Sequence, residues 1–207
     1  MLEHDYLKYW KMQDNSVIVD LGATFGDFGI HVRDDLIRTN SKMVNVEPMP
    51  FAVQQLSTLM QYDKQVHYSL LAVGVGAECG TEEFTECDAS VLNHLSRIDQ
   101  KFPNKEVGKF NIPIIDFPTL LDMVGGKIDF IKCDIEGAEL EFFVNQKNNG
   151  LLGRVGSMAI ASYHVVDGEA TWKTLMPYFH SLGLSVIHEF IEGDDFSDML
   201  YVRNLPW

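Results

Sequence analysis

Val17-Ile18-Val19-Asp20-Leu21-Gly22-Ala23-Thr24-Phe25-Gly26-Asp27-Phe28-Gly29 is the stretch on which the fold turns. A β-branched apolar run, short enough for a buried strand, empties into small residues. A helical pattern then follows over 25–38. In an open α/β sheet the turn after the first strand is where a nucleotide-like ligand binds. Gly22 and Gly26 lack the Cβ that would obstruct such a ligand, and Ala23 and Thr24 lie between them. The dinucleotide fingerprint is G-x-G-x-x-G, and Asp20 occupies the place of its first glycine. A carboxylate there repels a pyrophosphate, which disfavours a nicotinamide-dependent oxidoreductase. It suits a cationic ligand without phosphate, and S-adenosylmethionine, with a sulfonium, an ammonium and an adenosine, answers that description. Glu47, closing the second strand, is placed to accept both ribose hydroxyls.

Outward from this loop, apolar runs alternate with helical stretches, the signature of a parallel α/β sheet. Strands are expected at 43–47, 66–73, 128–133 and 157–163. Helices are expected at 50–62, 138–148 and 172–182, the last bent or started near Pro177. Two final strands, 184–191 and 199–202, are joined by a short polar Gly-containing link and predict an antiparallel hairpin. The fold class is therefore α/β, Rossmann-like and mostly parallel, with a C-terminal antiparallel hairpin. Residues 16–207 form one domain and residues 1–15 a cap segment, expected as a short amphipathic helix. Residues 76–110 form an insertion-like segment. Within it, His94, Arg97, Lys101, Lys105 and Lys109 make a local basic excess. A solvated loop is the favoured reading and a substrate lid the sharper one, with His94 and Arg97 facing an acceptor.

That excess stands out because the 207-residue chain carries 16 Lys and Arg against 30 Asp and Glu, a formal charge of −14. Such a balance argues against a broad nucleic-acid footprint and against anionic membrane surfaces. Cys79, Cys87 and Cys133 are widely spaced with no C-x-x-C, so neither a disulfide scaffold nor a zinc ribbon is expected. The N-terminus lacks the pattern of a secretory signal, and no apolar run of about 18 residues occurs. A cytoplasmic protein is the expectation. Tyr6, Trp10 and Trp207 are candidate interface residues between copies of the chain.

The second informative stretch is Ile128-Asp129-Phe130-Ile131-Lys132-Cys133-Asp134-Ile135-Glu136-Gly137-Ala138-Glu139. A buried strand ends in three carboxylates around a glycine. Ligands in such sheets bind at the carboxyl ends of the strands, so Asp134 and Glu136 are expected near Asp20 and Glu47. The plainer reading of Glu136 and Glu139 is as acids favouring a helix N-terminus. Together with 19–26 (Val-Asp-Leu-Gly-Ala-Thr-Phe-Gly), Asn45-Val46-Glu47-Pro48 and Thr119-Leu120-Leu121-Asp122, this stretch resembles the FkbM-type branch of the class I methyltransferases. The resemblance implies a seven-stranded sheet with its last strand antiparallel and S-adenosylmethionine as cofactor. It places Asp20, Gly22 and Gly26 around the methionine portion and Glu47 on the ribose. Ala23, Thr24, Pro48, Ala72 and Asp134 complete the expected cofactor set. It also implies O-methylation of a sugar, polyketide or related small-molecule hydroxyl. Thr24 departs from the family's usual Asn, and Cys133 from its usual aliphatic residue.

A hydroxyl nucleophile must lose its proton, which favours a base that titrates near neutrality. His164, after the fifth strand, is the first candidate, with Asp134 orienting the acceptor or the base and Glu136 contacting the acceptor. His94 is a weaker candidate base, and Lys132 is expected to pair with a neighbouring carboxylate. Asp134, Glu136 and His164 also offer oxygen and nitrogen ligands for a divalent ion. No tight motif such as H-E-x-x-H accompanies them, so a metal-free site is the expectation. N- or C-methylation, or donor binding without turnover, are the alternatives on the same fold.

Overall fold

Alternation along the first strand decides the layering. β1 (Val17–Leu21) sends Val19 and Leu21 to one side of the sheet and Ile18 and Asp20 to the other. The computed structural model describes residues 5–87, 94–95, 106–194 and 197–205. In chain order the first half holds α1 (Asp27–His31), α2 (Arg33–Arg38), β2 (Lys42–Val46), α3 (Pro50–Tyr62) and β3 (His67–Leu71). Then come β4 (Gly74–Val75), β5 (Gly80–Cys87), β6 (His94–Leu95), β7 (Glu106–Ile115) and α4 (Phe117–Met123). The second half holds β8 (Ile128–Cys133), α5 (Glu139–Phe143), β9 (Val155–Ala161), β10 (Val165–Val166) and β11 (Glu169–Ala170). α6 (Trp172–Ser181), β12 (Ser185–Glu189) and β13 (Met199–Arg203) close the fold.

Seven strands form the main sheet in the order β12-β13-β9-β8-β1-β2-β3. β1 lies between β8 and β2, parallel to both, whereas β13 runs antiparallel to both β9 and β12. The order reverses beside β1, so the carboxyl ends of β1, β2 and β8 meet at one crevice. One face packs Leu21, Ile131 and Cys133 against α4, α5 and α6 through Phe117, Phe142 and Phe179. The other packs Ile18, Met43 and Phe130 against Phe28, Val32 and Leu36. Fully burying such an aromatic or aliphatic side chain is worth about 2–3 kcal/mol before entropy is set against it.

Several expectations change. The helix over 25–38 is two helices that break at Val32 (φ −95°, ψ 7°), where Gly29, Ile30 and Val32 give poor helix propensity. The helix over 138–148 stops at Phe143. Asn148 Nδ2 donates to the carbonyls of Phe142 and Phe143, and Asn145 Oδ1 accepts the Lys147 amide to cap a separate 3-10 turn at Gln146–Asn148. Among its described residues the insertion-like segment forms strands, while most of the basic stretch, 88–93 and 96–105, lies outside the described residues. β5 and β7 pair antiparallel and, with β4 and β6, make a four-stranded sheet. Its inner side carries Phe84, Leu95, Ile112 and Ile114 onto Met49 and Ala138.

The cap segment forms turns, not a helix, among its described residues. Tyr6 and Met12 are buried, Trp10 stacks on Phe130 with centroids 4.6 Å apart, and the Tyr201 hydroxyl donates to the Asp5 carbonyl. Tyr6 and Trp10 therefore pack within the chain, Trp10 remaining partly exposed; Trp207 lies outside the described residues. Among the described residues no helix is long and apolar enough to cross a membrane.

Candidate functional site

Register brings the first pair together. Asp20 of β1 lies opposite Lys132 of β8 and Asn45 of β2, and all three are buried. Lys132 Nζ stands 3.1 Å from Asp20 Oδ1 and donates to the Gly22 carbonyl at 2.8 Å. The ring of Tyr6 lies 5.5 Å from the same Nζ. Burial opposes the charge on Lys132, but Asp20 and Asp134 outweigh it and hold the amine above its usual value. Burial pushes the Asp20 carboxyl up and Lys132 pulls part of that back. The charge of Asp20 is thus largely met inside the protein. Asp20 Oδ2 is fully buried and has no hydrogen-bond partner.

The loop after β1 is tied from two sides. Gly22 and Ala23 both donate their amides to the Val46 carbonyl. Glu47 accepts the Thr24 amide on Oε2 at 2.9 Å and the Met49 amide on Oε1 at 2.8 Å, joining the loop to the start of α3. Burial raises the Glu47 carboxyl, and these two amides restrain the rise. Each carboxylate oxygen keeps a further lone pair. The glycines have a reason beyond ligand approach. Gly22 sits at φ +74°, where an added Cβ would overlap the Asp134 carbonyl oxygen. At Gly26, φ +88°, a Cβ would meet Leu56 Cδ2 at 2.9 Å. The Glu47 amide donates to the Leu71 carbonyl, which sets exposed Ala72 and half-buried Pro48 at the same end of the sheet.

The third group gathers where β8 and β9 end. The Asp134 amide donates to the Leu21 carbonyl, anchoring the acidic turn beside the glycine loop. Glu136 (φ +56°) and Gly137 (φ +97°) reverse the chain, an unusual conformation for a glutamate. Glu139, completely buried, accepts the Ile135 amide and places Oε1 2.9 Å from His164 Nδ1. His164 is itself buried and lies against the ring of Tyr163, centroids 4.3 Å apart. Its Nε2 faces Asp134 Oδ1 and Glu136 Oε2, each at 3.6 Å. One ligand atom from each of Asp134, Glu136 and His164 lies within 4.8 Å of the others. The Tyr6 hydroxyl donates to Asp134 Oδ2 at 3.0 Å, so the cap segment touches this group directly.

The electrostatics follow from three acids around one imidazole. Burial would lower the His164 imidazole, but Glu139, Glu136 and Asp134 push it up to about 10. Burial raises Glu136 to about 8, with His164 opposing and Asp134 reinforcing the rise. A proton on His164 and the nearby Lys132 ammonium both act against the charge of these acids.

Asp20, Gly22, Glu47, Asp134, Glu136 and His164 are thus brought to one end of the sheet. The carboxylate that Lys132 pairs with is that of Asp20. Two participants were not assigned to the site from sequence: Tyr6, and Glu139 as the partner of His164. The Glu-Gly-Ala-Glu spacing was the available signal for Glu139, but its contact with His164 bridges distant parts of the chain. His94 pairs with Thr85 through the β6 backbone. Arg97, Lys101 and Lys105 lie outside the described residues, and Lys109 pairs with Glu83 at 3.3 Å.

Comparison with known proteins places this geometry in context. The family described as the Methyltransferase FkbM domain matches residues 20–183. No curated protein matches the sequence. Among solved structures, Methyltransferase FkbM from Methylobacillus flagellatus superposes with a TM-score of 0.64 at 16% identity, covering 94% of this chain and 45% of that one. This chain therefore spans less than half of that protein. An rRNA methylase from Streptococcus thermophilus gives 0.54 at 12% identity, covering 94% and 90%. A Streptococcus mutans protein in complex with SAH gives 0.54 at 11% identity, covering 94% and 91%. These likenesses establish the class I methyltransferase fold.

Proposed function

Given that the chain belongs to the FkbM methyltransferase family, we propose that it methylates a hydroxyl of a small molecule or sugar, with S-adenosylmethionine as donor. The observation that carries the reading is the crevice at the ends of β1, β2 and β8. There a buried Asp20 oxygen without a hydrogen-bond partner stands near the Glu47 carboxylate and the Asp134–Glu136 turn. This set of acceptors fits a ligand that is cationic at one end and carries ribose hydroxyls at the other. S-adenosylmethionine supplies, when bound, an electrophilic methyl group on a positively charged sulfur.

The protein's part is binding, alignment and proton handling. Glu47 receives the ribose hydroxyls, with Ala72 and Pro48 flanking the adenosine. Gly22, Ala23, Thr24 and Gly26 shape the wall beside the methionine portion, and Asp20 Oδ2 accepts from its ammonium. Asp134 and Glu136 receive the acceptor hydroxyl, with His164 between them. His94 and Arg97 are proposed from the sequence alone to meet the rest of the acceptor. The acid-rich crevice supports a neutral or cationic acceptor group at the reaction centre rather than a phosphate. We place the reaction in the cytoplasm.

Calorimetry with SAH and with NAD tests the cofactor. SAH is expected to bind and NAD not, with Glu47→Gln weakening SAH by at least about tenfold, a loss of about 1.4 kcal/mol. NAD binding without SAH binding refutes the reading. Methyl transfer to hydroxylated and amine acceptors then tests the hydroxyl assignment, which transfer to amines alone overturns.

A further inference from the structure

Among the buried polar atoms of the crevice without a hydrogen-bond partner are both ring nitrogens of His164, whose side chain is only 4% exposed. Nε2 points between Asp134 Oδ1 and Glu136 Oε2 at 3.6 Å from each, too long for a hydrogen bond. A buried nitrogen left in this way costs free energy unless something fills the gap. Glu139 Oε1, 2.9 Å from Nδ1, stands behind the ring and aims Nε2 at the two carboxylate oxygens, where a bound cation would take the place of a proton on Nε2. A carboxylate behind a histidine that presents its other nitrogen is the support found behind metal-binding histidines.

We propose that Asp134, Glu136 and His164 form a binding site for a divalent cation of the Mn2+ type. The proposal rests on the methyl-transfer reading for its purpose, though not for its geometry. Bonds of about 2.0–2.2 Å from a cation put neighbouring ligands about 3 Å apart and opposite ones about 4.2 Å apart. The 3.6 Å separations lie between these limits, and the whole set falls within 4.8 Å. Small side-chain shifts complete the coordination. Two carboxylate oxygens and one imidazole nitrogen suit a hard-to-borderline ion, not a thiophilic one. Both carboxylates remain partly exposed, at 25% and 19%, so the ion keeps open positions toward the crevice. An acceptor hydroxyl bound at one of them is acidified, and its proton passes to solvent water. This gives the three acids a counter-charge other than a proton on His164. It identifies the acceptor class as a hydroxyl able to ligate a cation, with a second oxygen close by to occupy another open position.

The test uses the full chain, stripped with a chelator and titrated with Mn2+. The free-ion signal is followed by electron paramagnetic resonance, and SAH binding to the metal-free chain is measured in parallel. One Mn2+ per chain is expected, weakened at least about tenfold in both Glu136→Gln and His164→Gln. Should the buried His164→Gln variant fail to fold, Glu136→Gln and Asp134→Asn carry the comparison, with circular dichroism as the folding check. No Mn2+ binding up to millimolar concentration, or equal binding by wild type and folded variants, overturns the site. SAH binding without Mn2+ binding removes the cation site and leaves the methyl-transfer reading intact. Site-specific Mn2+ binding without SAH binding supports the cation site and counts against that reading.

Discussion

Replacing Lys132 with methionine isolates the interior ion pair on which the glycine loop is built. Lys132 Nζ meets Asp20 Oδ1 at 3.1 Å and the Gly22 carbonyl at 2.8 Å, with Asp20 completely buried. Methionine keeps most of the volume but strands the carboxylate. Breaking a buried pair from one side costs about 3–5 kcal/mol, because the remaining charge has lost both water and partner. For a chain of this length that is a fall in Tm of about 6–20 °C. The pH dependence has a definite sign. Burial already raises the Asp20 carboxyl, and removing Lys132 raises it further. A folded-state pKa above the unfolded value of about 4 means the folded protein retains a proton that the unfolded chain releases. The contribution is fully present below about pH 4 and is lost as pH rises through the folded value. The deficit of Lys132→Met is therefore largest at pH 7 and shrinks toward pH 4.5. Urea unfolding of wild type, Lys132→Met and Asp20→Asn/Lys132→Met at both pH values measures this, and the double variant should be more stable than Lys132→Met alone. A deficit below about 1 kcal/mol at pH 7, or one equal at both pH values, refutes the reasoning.

Gly22→Ala should cost about 3 kcal/mol or more in urea unfolding, because both φ +74° and the Asp134 carbonyl oppose a Cβ. Tyr6→Phe removes the hydrogen bond to Asp134 and should lower unfolding free energy by about 1–2 kcal/mol. The same urea titration reads it, and an unchanged midpoint would show that the cap segment is held by its aromatic packing alone. Arg33 donates to Asp63 through Nε and Nη2, holding that carboxyl below its usual value. A lowered pKa stabilises above the unfolded value of about 4 and is lost as pH falls through the folded value. Asp63→Asn should therefore lower Tm at pH 7 and match wild type near pH 2.

The sheet was readable from sequence because its strands are short apolar runs at regular intervals. The glycine loop was readable because Asp20, Gly22 and Gly26 follow β1 directly. The second sheet was harder to read. β5 (Gly-Thr-Glu-Glu-Phe-Thr-Glu-Cys) has an inner face of only a few apolar residues, and its partner β7 lies beyond a long intervening segment. The cap segment shows the same limit. Its aromatic residues signal burial, but Tyr6 acquires its role only by meeting Asp134, 128 positions later.

The sequence by itself determined the α/β class, the antiparallel end and the residue types available at the crevice, because periodicity and turn chemistry are local properties. Tertiary structure alone decided which charges meet. Asp20 could as well have faced a ligand in full, yet the register of β1 on β8 sets it against Lys132. Glu139 could have served only a helix N-terminus, yet the packing of α5 beside the end of β9 turns it to His164. Electrostatic partnership depends on a few ångströms across the fold, and linear spacing carries no record of that distance.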